Sequence, residues 1–206
     1  VAIGEACGMK PGEESSGRVF SAMRMMGFDD VFDTCLGADL TIMEEAQELA
    51  EKLERDAAAE AAAGAEGEAQ ETASGKKISF PLFTSCCPAW IRYAENLHPE
   101  VLPYISTCKS PMEMFGAVIK EYYKEQDEKE DRQTVSVAVM PCVAKKMEAG
   151  REEFIRNGVP DVDYVITTKE LIRMIRESGI RFDEIDPEAP DMPFSISSGA
   201  GVIFGV

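Results

Sequence analysis

The chain has 206 residues, with 38 acidic against 21 basic side chains, a formal net charge of −17, and 45% hydrophobic and 29% charged residues. Its length suits one ordinary domain of about 100–200 residues or a piece of a larger one, and its apolar content excludes wholesale disorder, because burial can offset the entropy of ordering. So negative a charge repels phosphate backbones and excludes direct nucleic-acid binding, and no run approaches the roughly 20 apolar residues of a membrane span.

In chain order, Val19, Phe20, Met23 and Met26 recur at helical spacing and predict a helix that stops at Gly27. Val31 to Thr34 reads as a short strand. Leu40, Met43, Ala46, Leu49 and Leu53 mark the apolar face of a second helix, with Asp39 as its N-cap. Residues 56–75 break this rhythm, with nine alanines between Ala57 and Ala73 among glutamates and glycines. That composition predicts an exposed low-complexity insert, either a solvated helix extension or a disordered loop, with Gly64, Gly67 and Gly75 favouring fraying. Ile78 to Phe83 is the next expected strand, and Pro111 opens a helix through Met114, Phe115, Val118 and Ile119. Thr134 to Met140 and Val162 to Thr167 read as strands, and Thr168 caps a helix carrying Leu171, Ile172 and Ile175. Strand-length runs alternating with helical segments predict an α/β fold with mainly parallel sheets flanked by helices. An acidic, proline-broken connection follows from Asp183 to Pro193.

The Gly-rich end, Ser197 to Gly201 and then Val202-Ile203-Phe204-Gly205-Val206, lacks the lysine and the strand–helix setting of a phosphate loop. Its glycines suit close approach of backbone to something bulky. Opening on Val1-Ala2-Ile3 and stopping within an apolar stretch, the chain reads as part of a longer one.

Six cysteines, at 7, 35, 86, 87, 108 and 142, have no disulfide-framework spacing and fit a reducing compartment. The single histidine, His98, precedes Pro99 at an expected helix end, leaving little material for a zinc site or a Ser-His-Asp triad. Cys86 and Cys87 follow a strand, with Pro88 suited to the first turn of the next helix. Cys142 has the same setting after Met140 and Pro141. Strand ends opening into helix N-termini line the functional edge of an open α/β sheet, and a helix N-terminus favours the thiolate that metals require. Adjacent side chains diverge along extended backbone, so Cys86 and Cys87 do not both serve one iron. Spacing alone also permits small buried hydrophobes, since no CxxC pair is present.

The surrounding strings are more informative. Thr84-Ser85-Cys86-Cys87-Pro88-Ala89-Trp90 and Met140-Pro141-Cys142-Val143-Ala144-Lys145-Lys146-Met147-Glu148 resemble two of the three signature motifs of [FeFe]-hydrogenases. Gly27 to Thr34, Ala38 to Glu45, Lys109-Ser110-Pro111 and Ser198-Gly199-Ala200-Gly201 extend the match in the family's order across nearly the whole chain except residues 56–75.

The resemblance implies a two-lobed H-cluster domain, of which residues 1–206 are a part. The H-cluster is a [4Fe-4S] cubane joined through a cysteine sulfur to a di-iron unit bearing CO, cyanide and a dithiolate. It implies Cys87 and Cys142 as two of four cubane thiolates, the other two belonging to a third motif expected beyond Val206. Cys86 is then the thiol that exchanges protons with the di-iron unit, and the family's relay continues outward through Glu48, Ser106 and Glu45. Lys145 corresponds to a lysine that donates to a cyanide ligand. Met140 and Pro141 adjoin the di-iron unit, and Phe204, Gly201 and Gly205 line the same cavity. Met112 stands where the catalytic group commonly has Gln, and Ala89 where Gly is usual, while Cys7, Cys35 and Cys108 match no ligand and are expected to pack. The implied activity is the reversible reduction of protons to H₂. The implied partners are a ferredoxin or other iron–sulfur electron donor and the H-cluster maturation proteins, in the cytoplasm or a hydrogenosome. Other readings are a non-catalytic iron–sulfur protein of the same fold, in cluster assembly or sensing, and a metal-free cysteine redox enzyme. Residues 1–206 alone are expected not to hold the complete cofactor.

Overall fold

The computed structural model describes residues 2–65 and 81–191, the side chains of 59–65 excepted. Helix α1 spans Ala2–Ala6, α2 Ser16–Met25, α3 Cys35–Ala65, α4 Pro88–Leu97, α5 Pro111–Glu130, α6 Ala144–Ala149 and α7 Thr168–Glu177. Strand β1 (Val137–Met140) and strand β4 (Tyr164–Thr167) pair in parallel from Val137 opposite Tyr164 to Met140 opposite Thr167. Between them lie α6 and a small antiparallel pair, β2 (Ile155–Arg156) and β3 (Val159–Pro160). Parallel neighbours require such a crossover. The expected α/β class with a parallel sheet is therefore what the chain forms.

The main core joins α2, α7 and the sheet. Ala22, Met23, Val31, Leu171, Ile175 and Phe182 are buried together, with Val139 and Ile166 packed against them. Helix α7 is started by a reciprocal cap: the Thr167 side chain accepts the Glu170 N–H at 3.2 Å, and the Glu170 carboxylate accepts the Thr167 N–H at 2.7 Å. The cap is thus Thr167, one residue before the expected Thr168. The acidic connection docks on α2, where Ser21 Oγ donates to the Asp186 carbonyl and Arg24 pairs with Glu188 and Asp191.

Two further expectations are corrected, and a third is tested only in part. Val31–Thr34 is not a strand; the Val31 N–H goes to the Asp191 carboxylate at 2.8 Å and the Val31 carbonyl accepts the Asp191 N–H, so no ladder partner is needed. Asp39 lies inside α3, which begins at Cys35, and the side chain that takes up the Cys35 N–H is Asp33, at 2.9 Å. Of Ile78–Phe83, residues 78–80 lie outside the described residues, and Phe83 makes a single parallel bridge to Ile105. Helix α3 runs on through Ala65, so the first part of the expected insert is a helix extension; residues 66–75 lie outside the described residues.

Two close approaches set the position of α5. A Cβ on Gly37 would meet the Pro111 carbonyl oxygen at 2.4 Å, and a Cβ on Gly116 would meet the Asp161 carbonyl oxygen at 2.5 Å. Glycine at both places lets α5 lie against α3 on one side and against residues 161–162 on the other.

Candidate active site

The side of α3 turned inward is not its apolar stripe. Met43, Leu49 and Leu53 are exposed, whereas Ala38 and Thr41 are buried and Glu45, Glu48 and Lys52 are largely covered. These five positions recur at three- and four-residue steps, so one helix face carries them all. The expected Leu40–Leu53 core face is thereby corrected: α3 presents carboxylates to the protein, and Leu49 with Ala46 lines an open groove that Glu45, Thr84 and Ser106 also border.

Ser106 lies between the two carboxyls. Its hydroxyl, in a residue 6% exposed, donates to Glu48 Oε2 at 2.6 Å and accepts the Cys108 N–H at 3.1 Å. Glu48 also accepts from the Thr107 N–H at 3.2 Å and the Thr107 hydroxyl at 3.3 Å, and it pairs with Lys52 at 3.5 Å. Burial pushes the Glu48 carboxyl upward, but Ser106, Thr107 and Lys52 together outweigh it and hold the group below the usual range. Glu45 behaves oppositely. Burial, reinforced by the charge of Glu48, raises it against the opposing pull of the Ser85 backbone and the Ser106 side chain, and its Oε1 is buried without a hydrogen-bond partner. A proton therefore rests more readily on Glu45 than on Glu48.

The cysteine segment is fixed on both sides. The Phe83 N–H donates to Tyr104 and the Ser106 N–H returns to Phe83, both at 2.7 Å, while Ser85 Oγ donates to the Cys108 carbonyl. Cys86 is partly buried, and burial, aided by the Glu45 charge, keeps its thiol protonated beyond the ordinary range. The carboxylate whose charge acts on the Cys86 thiol is Glu45. Cys87 is exposed and extended at φ −101°, ψ 106°, the N-cap of α4 with Pro88 at the first helical position. The Cys142 thiol accepts the Ala144 N–H at 3.4 Å just before α6. Lys145, on α6, donates to the Cys86 carbonyl at 2.9 Å and to Glu148 at 2.7 Å, pinning the two cysteine segments to each other.

Met140 ends β1 and Pro141 follows it, on the same approach to Cys142. Phe204, Gly201 and Gly205 lie outside the described residues. Sequence reasoning missed Thr107, Lys52 and Cys108, whose thiol lies 3.8 Å from Glu48 Oε2. Only Lys52 carried a signal, its four-residue offset from Glu48. His98 is the C-cap of α4, bonded to Tyr93 and Glu100 and remote from this chemistry.

The donor set suits part of an iron–sulfur centre. Cys87 and Cys142 are free thiols at the two segments that Lys145 joins, and soft thiolates are the ligands such clusters take. Among the described residues no group of three or more His, Cys, Asp or Glu forms a metal cage by itself. No helix among them is long and apolar enough to cross a membrane.

Comparison with known proteins gives consistent results. Residues 1–206 match the family described as iron only hydrogenase large subunit, C-terminal domain. The chain is 42% identical to the NADP-reducing hydrogenase subunit HndD of Solidesulfovibrio fructosivorans and 40% identical to iron hydrogenase 1 of Clostridium pasteurianum, over 100% and 98% of its length but 32% of each relative. It superposes at a TM-score of 0.78 and 39% identity on apo [FeFe]-hydrogenase HydA1 from Chlamydomonas reinhardtii, variant C377H, covering 100% of this chain and 47% of that one. At lower identity, 30% over 88% of the chain, it matches the cytosolic Fe-S cluster assembly factor narfl of Xenopus tropicalis, covering 35% of that protein. The chain thus spans about a third of the curated relatives it matches.

Proposed function

The chain belongs to the iron-only hydrogenase large-subunit family, and from that premise we propose that it forms part of a catalytic domain for the reversible reduction of protons to H₂. When bound, the H-cluster supplies the electrons and the iron site at which H₂ forms. Cys87 and Cys142 are the thiolates of this chain that hold its cubane. Lys145, which bonds Glu148 and the Cys86 carbonyl, would have one N–H left to donate to an anionic cyanide ligand. Met140 and Pro141, on the approach to Cys142, would adjoin the di-iron unit.

Cys86 carries the proton between cofactor and protein, and a neutral thiol suits that task. Beyond it, Glu45 gives its proton to Ser106 Oγ as the Ser106 hydroxyl passes its own to Glu48; the reverse shift carries a proton inward. The observation that supports this reading best is the 2.6 Å bond from Ser106 to Glu48, with Glu45 acting on both Ser106 and Cys86 and the two carboxyls biased in opposite directions. An iron–sulfur electron donor such as a ferredoxin and the H-cluster maturation proteins are the partners this function requires.

The test is Cys86→Ala in the full-length protein. We expect retained iron and retained infrared bands of bound CO and cyanide with most H₂ turnover lost; unchanged H₂ evolution overturns the relay. The match to a cluster assembly factor favours a second reading, a non-catalytic iron–sulfur protein of the same fold. Iron without CO and cyanide bands after co-expression with maturation proteins would select it.

A further inference from the structure

Glu113 is a buried carboxyl that the proton relay does not use. It occupies the third position of α5, where its backbone N–H meets Ser110 Oγ at 3.5 Å, and its residue exposure is 0%. Neither carboxyl oxygen has a hydrogen-bond partner. A carboxylate in that state costs several kcal/mol on the order-of-magnitude scale for unpaired buried ions.

The charged groups around it explain why no cation serves it. Facing it are Glu148 on α6 and Asp161 ahead of β4, both buried, and Lys145 and Lys109. Each lysine is already engaged: Lys145 with Glu148 at 2.7 Å and with the Cys86 carbonyl, and Lys109 with Asp161, which also takes Arg156 at 3.1 Å. Two carboxylates thus hold the two nearby lysines, and a third negative charge has no counterion. Gly116, three residues along α5, lets the helix lie against the Asp161 carbonyl and so holds Glu113 on the side of this acidic group.

We propose that Glu113 stands as an undissociated carboxylic acid and is a positioning residue: by staying neutral it leaves Lys145 to bridge Glu148 and the Cys86 carbonyl. Burial first, then the charges of Glu148 and Asp161, push its carboxyl up to about 8 against the opposing pull of Lys145 and Lys109. Ionisation of Glu113 places a competing charge beside Lys145 and draws it from the arm that ties α6 to the cysteine segment. The inference rests on the hydrogenase reading only in what Lys145 then does to a cyanide ligand.

Two measurements on the full-length protein separate these claims. The first uses the cofactor-free form, ¹³C-glutamate labelled, in pH-difference infrared spectra. A protonated-carboxyl band that vanishes with a midpoint near pH 8, shifts with the label and is missing from Glu113→Gln is expected. A wild-type protein without such a band above pH 6 overturns the proposal whatever the protein's activity. The second uses the cofactor-loaded form. Its cyanide bands should move between pH 7 and 9 in the wild type and stay fixed in Glu113→Gln, which keeps the shape and neutrality. Bands that move equally in both proteins overturn the positioning role while leaving the hydrogenase reading intact, and absence of cyanide bands from both refutes that reading alone.

Discussion

Ser106→Ala removes the one hydroxyl common to both carboxyls of α3 and tests the relay more sharply than loss of either acid. The 2.6 Å bond to Glu48 is charge-assisted, a class worth roughly 1.5–3 kcal/mol. Glu48 retains the Thr107 N–H, the Thr107 hydroxyl and Lys52, so the loss should fall near the lower end, about 1.5 kcal/mol. Loss of that donor should also let the Glu48 carboxyl rise from its lowered position. The Cys108 N–H also loses its acceptor. A stability cost of that size lowers the melting temperature by about 3–6 °C in a protein of this length. Turnover should suffer more, because Thr107 reaches Glu48 but is not among the groups bonded to Glu45, and removing a positioned proton-transfer group costs roughly 10²-fold or more. H₂ evolution with a chemically reduced viologen, paired with thermal denaturation, reads both effects, and Ser106→Thr should restore most of the rate. A Ser106→Ala protein that melts a few degrees low yet evolves H₂ at the wild-type rate would show that protons do not pass through this hydroxyl.

Other consequences follow from the same geometry. Cys142→Ala and Cys87→Ala should each lower iron content measured after anaerobic reconstitution of the full-length protein, whereas Cys7→Ala, which removes a packing thiol, should leave it unchanged. Gly116→Ala drives a methyl into the Asp161 carbonyl and Val162, a clash of the kind that costs about 1–3 kcal/mol, readable as a lower urea midpoint. Glu170 is drawn down to about 2 by Lys146 and by Thr167, so its support for α7 is complete above its ordinary value of 4.5 and is lost as pH falls from there through about 2. Thr167→Ala should weaken that acid dependence in circular dichroism; an unaltered acid transition would show that the cap does not set it.

Much of this arrangement was legible in the residue string, and where it was not, the reasons are physical. Pro88 and Pro111 each occupy a first helical turn as read, because a fixed φ and a missing N–H suit that position regardless of tertiary context. The capping box of α7 was displaced by one residue because Thr167 and Thr168 are chemically equal candidates, and only the Glu170 offset favours Thr167. Val31–Thr34 failed as a strand since its main-chain partner is residue 191, a pairing that no local pattern encodes. The inward face of α3 was misread for a more instructive reason. Periodicity assigns the apolar stripe to the interior by default, but this helix turns Glu45 and Glu48 inward, where hydroxyls, amides and Lys52 compensate for their burial.

That inversion bears on how Cys86 works. The thiol lies between two unlike neighbours: a carboxyl of raised affinity for protons on α3 and a lysine on α6 bound to its own carbonyl. Burial and the Glu45 charge favour the neutral thiol, while the ammonium of Lys145 opposes them. A proton carrier needs both states within reach, so neither influence can dominate without stopping transfer in one direction. Glu113 enters on the Lys145 side of this balance. Its ionisation would add a second negative charge beside the lysine and weaken one of the two groups, with the Thr84 hydroxyl, that favour the thiolate. On the proposed relay the two acids bear on one sulfur differently, Glu45 by exchanging a proton and Glu113, through Lys145, by keeping one.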